Sequence, residues 1–360
     1  MVTPKRLLAL VVAAATTTLH ISAAQAQAPA SERQPCEPAA SGANVPVCGL
    51  QAPEDIALHP DGRHLLIALT NGPVYYAPSG IVLYDTQQHR QRRLAISVAE
   101  AEWGEEGCVP PSDEFDFHGI DVHRLEDGTV RLLTVNHRQR ESVEMFEVQQ
   151  EGNEITSLVW RGCVRTGTEY MMNDVAGFGD GGFLVTFMAP LAALKDINNI
   201  RPGITGHVMR WTPDAGLSKL PGTEGAYNNG IALSADEHYA FYAHWTGFRL
   251  TQYDLQQSRV VAEAELPIMP DNVTVDSDGT VYTVGFNSLD DAKRCLGSGF
   301  ADCSNDWHAV AIESDTMAVD TVVLRQELPF FGPTVAVPVG GWLYIGALTG
   351  DRIMRYRLSD

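Results

Sequence analysis

Six segments of the chain share one register, five of them beginning on a polar residue, and each runs into an apolar strand. They start at Glu54, His118, Asn173, Asn229, Asp271 and Pro333. Carboxylates and amides at four such starts, if brought together, offer what a hard cation needs. Calcium takes about 6–8 oxygen ligands at roughly 2.3–2.6 Å. Asp271 and Asn272 together can supply two of them. His118 departs from the pattern, because imidazole is a poor calcium ligand and a good general base. None of the six starts is Lys or Arg. An isolated Asn or Asp at a strand start does no more than cap a turn; residues held in one register converge.

The elements that must position these residues are short alternating strands closed by Asp-Gly, Gly-Asp or Gly-Gly turns, an all-β signature. The register is visible in EDIALHPDGRHLLIAL, HGIDVHRLEDGTVRLLTV, NDVAGFGDGGFLVTF, NGIALSADEHYAFYA, DNVTVDSDGTVYTVG and PTVAVPVGGWLYIGA. A β-branched residue stands two places after each start: Ile56, Ile120, Val175, Ile231, Val273 and Val335. The starts lie 64, 55, 56, 42 and 62 residues apart. Propeller repeats run about 40–50 residues before loops are added. The expectation is a six-bladed β-propeller with four-stranded blades, spanning residues 46–360 as one domain. A β-sandwich with coincidental hairpins would not keep one register through six segments.

In a propeller, equivalent residues of every blade lie at one height around a central tunnel. The six starts would therefore line one mouth of it. The next positions read Asp55, Gly119, Asp174, Gly230, Asn272 and Thr334. Successive strand residues point opposite ways, so Asp55 and Asp174 are expected to face inward. Two carboxylates approaching there repel each other unless a cation lies between them, which points to a second, deeper calcium.

The chain opens with Lys5 and Arg6, an apolar run and the small-residue site Ala24-Gln25-Ala26. Those are the three parts of a secretory signal peptide, assigned to residues 1–26, followed by an Ala/Pro/Ser-rich arm over 27–45. The run is short of the ~20 apolar residues of a membrane span. An exported chain, periplasmic or secreted, is expected. Six cysteines suit that compartment. Cys36 with Cys48 and Cys295 with Cys303 would close local loops, leaving Cys108 with Cys163; free thiols are the alternative. With 45 acidic and 25 basic residues the formal charge is −20, which opposes binding to nucleic acid. No G-x-S-x-G, H-E-x-x-H or phosphate-cradling loop supplies a competing site.

The segments PEDIALHPDG, FHGIDV, LLTVNHRQRESVEMFEV, MNDVAGF, NNGIALS and MPDNVTVD, in that order, resemble the paraoxonase/arylesterase family. These are calcium-dependent lactonases, a branch of the six-bladed propellers that also includes gluconolactonases. The resemblance implies a catalytic calcium held by Glu54, Asn173, Asn229, Asp271 and Asn272. It implies a structural calcium held by Asp55, Asp174 and the carbonyl of Ile120, and a histidine pair, His118 and His137. The substrate implied is a small lactone or ester. His123, five residues from His118, is expected to be structural.

The chain also departs from that family. Animal paraoxonases keep their hydrophobic N-terminus as an anchor, whereas here it ends in a cleavage site. They tie their first and last strands with a disulfide, yet no cysteine follows Cys303. The last blade must close by hydrogen bonds, with Cys36 as the partner left for Cys48. Two other functions stay open: a gluconolactonase-type sugar lactonase, and a calcium-stabilised propeller that binds without turnover.

Overall fold

The six β-branched residues that fix the register are all buried, none more than 6 % exposed, and each lies on the innermost strand of a blade. In the computed structural model the described residues are 36–37, 44–70, 78–112, 114–167, 169–203, 205–323 and 330–358. The expected signal peptide, residues 1–26, and nearly all of the expected leader arm lie outside them. The inner strands are Pro53–Leu58, Ile120–Arg124, Tyr170–Gly177, Asn228–Leu233, Met269–Val275 and Pro333–Val339. Each contacts the inner strands of the blades on either side, so the ring closes from the sixth back to the first.

Every blade continues outward through antiparallel neighbours to a four-stranded sheet. Blade 2 carries an additional outer strand, Ala95–Gly104, running parallel to Glu154–Gly167. Blade 3 carries a two-residue strand, Gly225–Ala226, paired with Thr205–Thr212. The turn after an inner strand recurs: Gly279 N–H donates to the Asp276 carbonyl, as Gly128 does to Leu125 and Gly181 to Phe178. Gly279 sits at φ 89°, which a residue with a Cβ adopts only at a cost. In blade 4 Glu237 takes that left-handed place at φ 56°.

The apolar core is divided among the blade interfaces. Ile56, Ile67 and Tyr84 of blade 1 pack with Val335, Val337 and Tyr344 of blade 6. Phe241 and Leu250 of blade 4 pack with Val273 and Val310 of blade 5. Each buried aliphatic or aromatic side chain contributes about 1.5–3 kcal/mol, so these seams hold the ring together.

The last blade closes as the cysteine pattern requires. Its outer strand is Asn44–Cys48, hydrogen-bonded antiparallel to Arg352–Arg357 near the C-terminus. Cys36 bonds Cys48 beside this seam, and Cys36 N–H donates to the Asp351 carboxylate at 3.3 Å. Cys108 pairs with Cys163, and Cys295 with Cys303. All six cysteines are thus bonded, as in a chain matured under oxidising conditions. Among the described residues no helix is long and apolar enough to cross a membrane.

Candidate functional site

Residues at the repeat starts meet across blade boundaries at one end of the tunnel. Asn272 Nδ2 of blade 5 donates to Glu54 Oε1 of blade 1 at 3.2 Å. Asn173 Nδ2 of blade 3 lies 3.3 Å from His118 Nε2 of blade 2, and His118 Nε2 is 3.9 Å from Glu54 Oε1. The Asn229 side chain of blade 4 hydrogen-bonds Asp271 of blade 5. Glu54, Asn173, Asn229, Asp271 and Asn272 are each at most 8 % exposed. The ring expected from the register is therefore brought together, apart from Pro333.

Several oxygens of this ring have nothing to bond. Glu54 Oε2, Asn173 Oδ1, Asn229 Oδ1 and Asn272 Oδ1 are all buried without a hydrogen-bond partner. Native folds rarely leave such groups orphaned, because each costs about 1–3 kcal/mol. Burial also raises the carboxyl pKa values. Asp271 is pushed up to about 8 by burial, against the Asn229 hydrogen bond and with help from the Asp55 charge. Glu54 is raised well above its ordinary value by burial first, then by Asp55, Asp271 and Asp174. Among the described residues no group of three or more His, Cys, Asp or Glu side chains is arranged to hold a metal. The ring is built differently, with three of its five side chains contributing amide oxygens. Orphaned oxygens among crowded carboxylates fit a hard oxygen-seeking cation.

The deeper carboxylates stitch the blades. Asp55 Oδ2 accepts from Ile120 N–H of blade 2 at 2.6 Å, and its Oδ1 accepts from Ile56 N–H at 2.8 Å. Asp174 repeats the arrangement one pair of blades on, accepting from Ile231 N–H and Val175 N–H, both at 2.8 Å. Gly119 makes room for it: a Cβ there would lie 2.4 Å from the Asn173 carbonyl and 2.6 Å from Asp174 Cα. Burial raises Asp55 to about 7, and burial together with Asp55 raises Asp174 well above its ordinary value. Asp55, Ile120 and Asp174 line a cavity of about 800 Å³ bounded by all six blades. Glu54, Asn173, Asn229, Asp271 and Asn272 do not line it, so the two sets are separated along the tunnel.

His118 and His137 face each other edge-on, with ring centroids 4.9 Å apart and planes at 69°. Burial first, and the nearby His137 second, lower the His118 pKa well below its ordinary value, so its ring is neutral at pH 7. His137 Nδ1 contacts both oxygens of Glu141, at 2.9 and 3.0 Å. Glu141 is a site residue the sequence pattern did not single out. Its signal was the His-x-x-x-Glu spacing inside VNHRQRESVEMFEV, which a hairpin folds into contact. His123 lies elsewhere: its Nδ1 contacts Asp121 Oδ2 at 2.7 Å and its Nε2 accepts from Arg131 Nε at 3.1 Å.

An apolar wall adjoins the ring on blades 3 to 5. Asn173 Nδ2 lies 3.8 Å from Met188 Sδ. Met188 belongs to a cluster with Tyr227, Trp245, Met269, Phe286 and Phe300. Met269 pairs with Phe286 and Pro270 with Gly285, so the chain leaving Phe286 emerges at the same end as Asp271. There it forms helix α1, Leu289–Gly297, whose N-cap Ser288 Oγ accepts from Asp291 N–H at 3.1 Å. α1 buries Ala292 and Cys295 against the wall, and the Cys295–Cys303 bond ties its end to the following loop.

The fold and this mouth define the class, a six-bladed propeller. The structure is similar to that of a luciferin-regenerating enzyme, at 15 % identity and TM-score 0.52, covering 86 % of this chain and 92 % of that one. A putative gluconolactonase is similar at 13 % identity and TM-score 0.50, covering 89 % and 94 %. Within that class the chain belongs to the arylesterase family, whose pattern matches residues 73–290. Serum paraoxonase/arylesterase 1 of Mus musculus is 28 % identical over 251 residues, 65 % of this chain and 66 % of that protein. The Rattus norvegicus protein of the same name is 24 % identical over 282 residues, 75 % of each. The chain thus spans about two thirds of the mouse relative's length. Membership supports a propeller hydrolase acting on a small molecule.

Proposed function

We propose that this chain is an exported calcium-dependent hydrolase that opens lactones and cleaves aryl esters. The observation that carries the proposal is the set of four orphaned buried oxygens, on Glu54, Asn173, Asn229 and Asn272, beside a neutral His118. Glu54, Asn173, Asn229, Asp271 and Asn272 hold one calcium; Asp55, Asp174 and the Ile120 carbonyl hold a second, structural one. Bound at the mouth, calcium supplies polarisation of the substrate carbonyl and stabilisation of the oxyanion.

The protein's own groups do the rest. His118 Nε2 takes a proton from the attacking water as the water oxygen bonds the carbonyl carbon. The same proton passes to the leaving oxygen when the acyl C–O bond breaks. His137 orients the His118 ring. At rest the His118 Nε2 lone pair accepts from the Asn173 amide at 3.3 Å, and that bond gives way to the attacking water. Met188, Tyr227, Trp245 and Phe286 receive the apolar part of the substrate and exclude water from that side.

The test is a panel of γ- and δ-lactones, aryl esters and phosphotriesters, assayed with and without calcium. Lactone and ester turnover that needs calcium is expected. No turnover of any member would leave a binding propeller.

A further inference from the structure

We infer that Glu141 is a positioning residue that joins His137 and His118 into one relay by fixing which nitrogen of each ring carries its proton. The inference rests on the hydrolase reading of the mouth. Glu141 is 7 % exposed and opens the strand Glu141–Glu151, across a hairpin from His137. Its carboxylate is held from blade 3 as well, because Oε2 accepts from Met172 N–H at 3.1 Å. An ionised carboxylate only accepts hydrogen bonds. With both oxygens about 3 Å from His137 Nδ1, the proton of that ring sits on Nδ1. Nε2 is left as a bare lone pair, and it is buried with no partner.

The other ring is set by the opposite neighbour. Asn173 Nδ2, an amide donor, approaches His118 Nε2 at 3.3 Å, so Nε2 accepts and the His118 proton sits on Nδ1. One ring therefore carries an N–H and the other a bare lone pair; the rings stand edge-on with centroids 4.9 Å apart, and no hydrogen bond joins them at rest. When His118 Nε2 takes the proton of the attacking water, the buried and unpartnered His137 Nε2 is the acceptor open to the Nδ1–H of the imidazolium that forms, once the rings draw together. The Glu141 carboxylate lies at the far end to stabilise the positive charge. Carboxylate, orienting histidine and base histidine thus play the parts that a carboxylate and one histidine play in hydrolytic triads. The hairpin turn itself is closed without Glu141: Asn136 Nδ2 donates to the Arg138 and Arg140 carbonyls and to Ser142 Oγ.

The test compares Glu141→Leu, Glu141→Gln and Glu141→Asp with the unaltered chain. Nitrogen-15 NMR of the histidine rings reads the tautomers without any substrate. In the unaltered chain His137 should show an Nδ1–H; in Glu141→Leu it should revert to Nε2–H, the form imidazole favours in water. Lactone kcat should fall about 10- to 100-fold in Glu141→Leu with KM unchanged, less than the roughly 10²–10⁴-fold that loss of the base itself would bring. Glu141→Asp should recover part of the loss. Glu141→Gln, close in shape, keeps an acceptor but removes the charge, and serves if the leucine variant does not fold; it should lower kcat with the tautomer retained. An unchanged His137 tautomer in Glu141→Leu, or an unchanged kcat in either variant, would overturn the inference. A chain inactive before substitution would instead overturn the hydrolase reading, while the NMR comparison still decides the tautomer.

Discussion

His118 Nε2, two residues before the inner strand Ile120–Arg124, lies 3.3 Å from the side-chain nitrogen of Asn173, within the inner strand Tyr170–Gly177 of the next blade. In this contact the histidine lone pair accepts from the asparagine Nδ2, which turns that nitrogen rather than the amide oxygen toward the imidazole. The proposed base and one proposed cation ligand are thereby joined by one hydrogen bond.

Replacing His118 by Ala should lower kcat for lactones by about 10²–10⁴-fold, the usual worth of a general base. Calcium affinity and thermal stability should stay close to the unaltered chain, because no cation ligand is removed. Steady-state kinetics with a parallel thermal melt separates the two. A variant that loses calcium would show His118 to be a ligand instead.

The metal-free protein should lose stability as pH rises through the neutral range. Burial raises Asp55 to about 7 and Asp271 to about 8, from an ordinary value of 3.8. Between about pH 4 and pH 8 the folded chain therefore binds more protons than the unfolded one, and the slope of stability against pH is negative there. Their contribution is fully present at the acid end and gone above about pH 8. Melts of chelated protein at pH 5 and pH 8 should show the lower midpoint at pH 8. Added calcium should raise the midpoint more at pH 8, where it competes with fewer protons. A chelated protein equally stable at both pH values contradicts the buried-carboxylate account.

Gly119→Ala should destabilise the fold by about 1–3 kcal/mol, as overpacking does. The new methyl would lie 2.4 Å from the Asn173 carbonyl and 2.6 Å from Asp174 Cα, and backbone cannot yield as a side-chain tip can. Gly230→Ala meets Val273 N at 2.4 Å and should behave alike. Denaturant melts check both, against Gly152→Ala as an open-space control whose own cost is only its φ of 63°.

Opening the Cys295–Cys303 bond should loosen α1 without unfolding the propeller, since the bond closes a loop of 8 residues within one blade. In a Cys295→Ser/Cys303→Ser variant, KM should rise several-fold for substrates with large apolar groups and stay level for small ones. A uniform change across a series of graded esters would detach α1 from substrate binding.

The inner strands were legible in the sequence because their pattern occurs six times, and repetition separates a register from accident. That register led to Glu54, Asn173, Asn229 and Asp271 as neighbours although they lie far apart in the chain. Contacts made once had no such support. Glu141 meets His137 across a single hairpin, and nothing in the other blades marks the spacing as special. The strand Asn44–Cys48 begins within an arm that reads as Ala/Pro/Ser-rich, and its pairing depends on Arg352–Arg357, more than 300 residues away in the chain. The strand Ala95–Gly104 is mostly exposed, so it lacks the alternation that announces a half-buried strand. Its partner is set by parallel pairing to Glu154–Gly167 rather than by its own pattern.

The most direct measurement follows bound calcium, thermal stability and lactone hydrolysis together on one chelated sample as calcium is returned. Stability should recover as the deeper set, Asp55 and Asp174, fills. Hydrolysis should recover only as Glu54, Asn173, Asn229, Asp271 and Asn272 fill, and should not recover in Asp271→Ala. Lactone hydrolysis that persists in the chelated sample at its full rate would contradict the account.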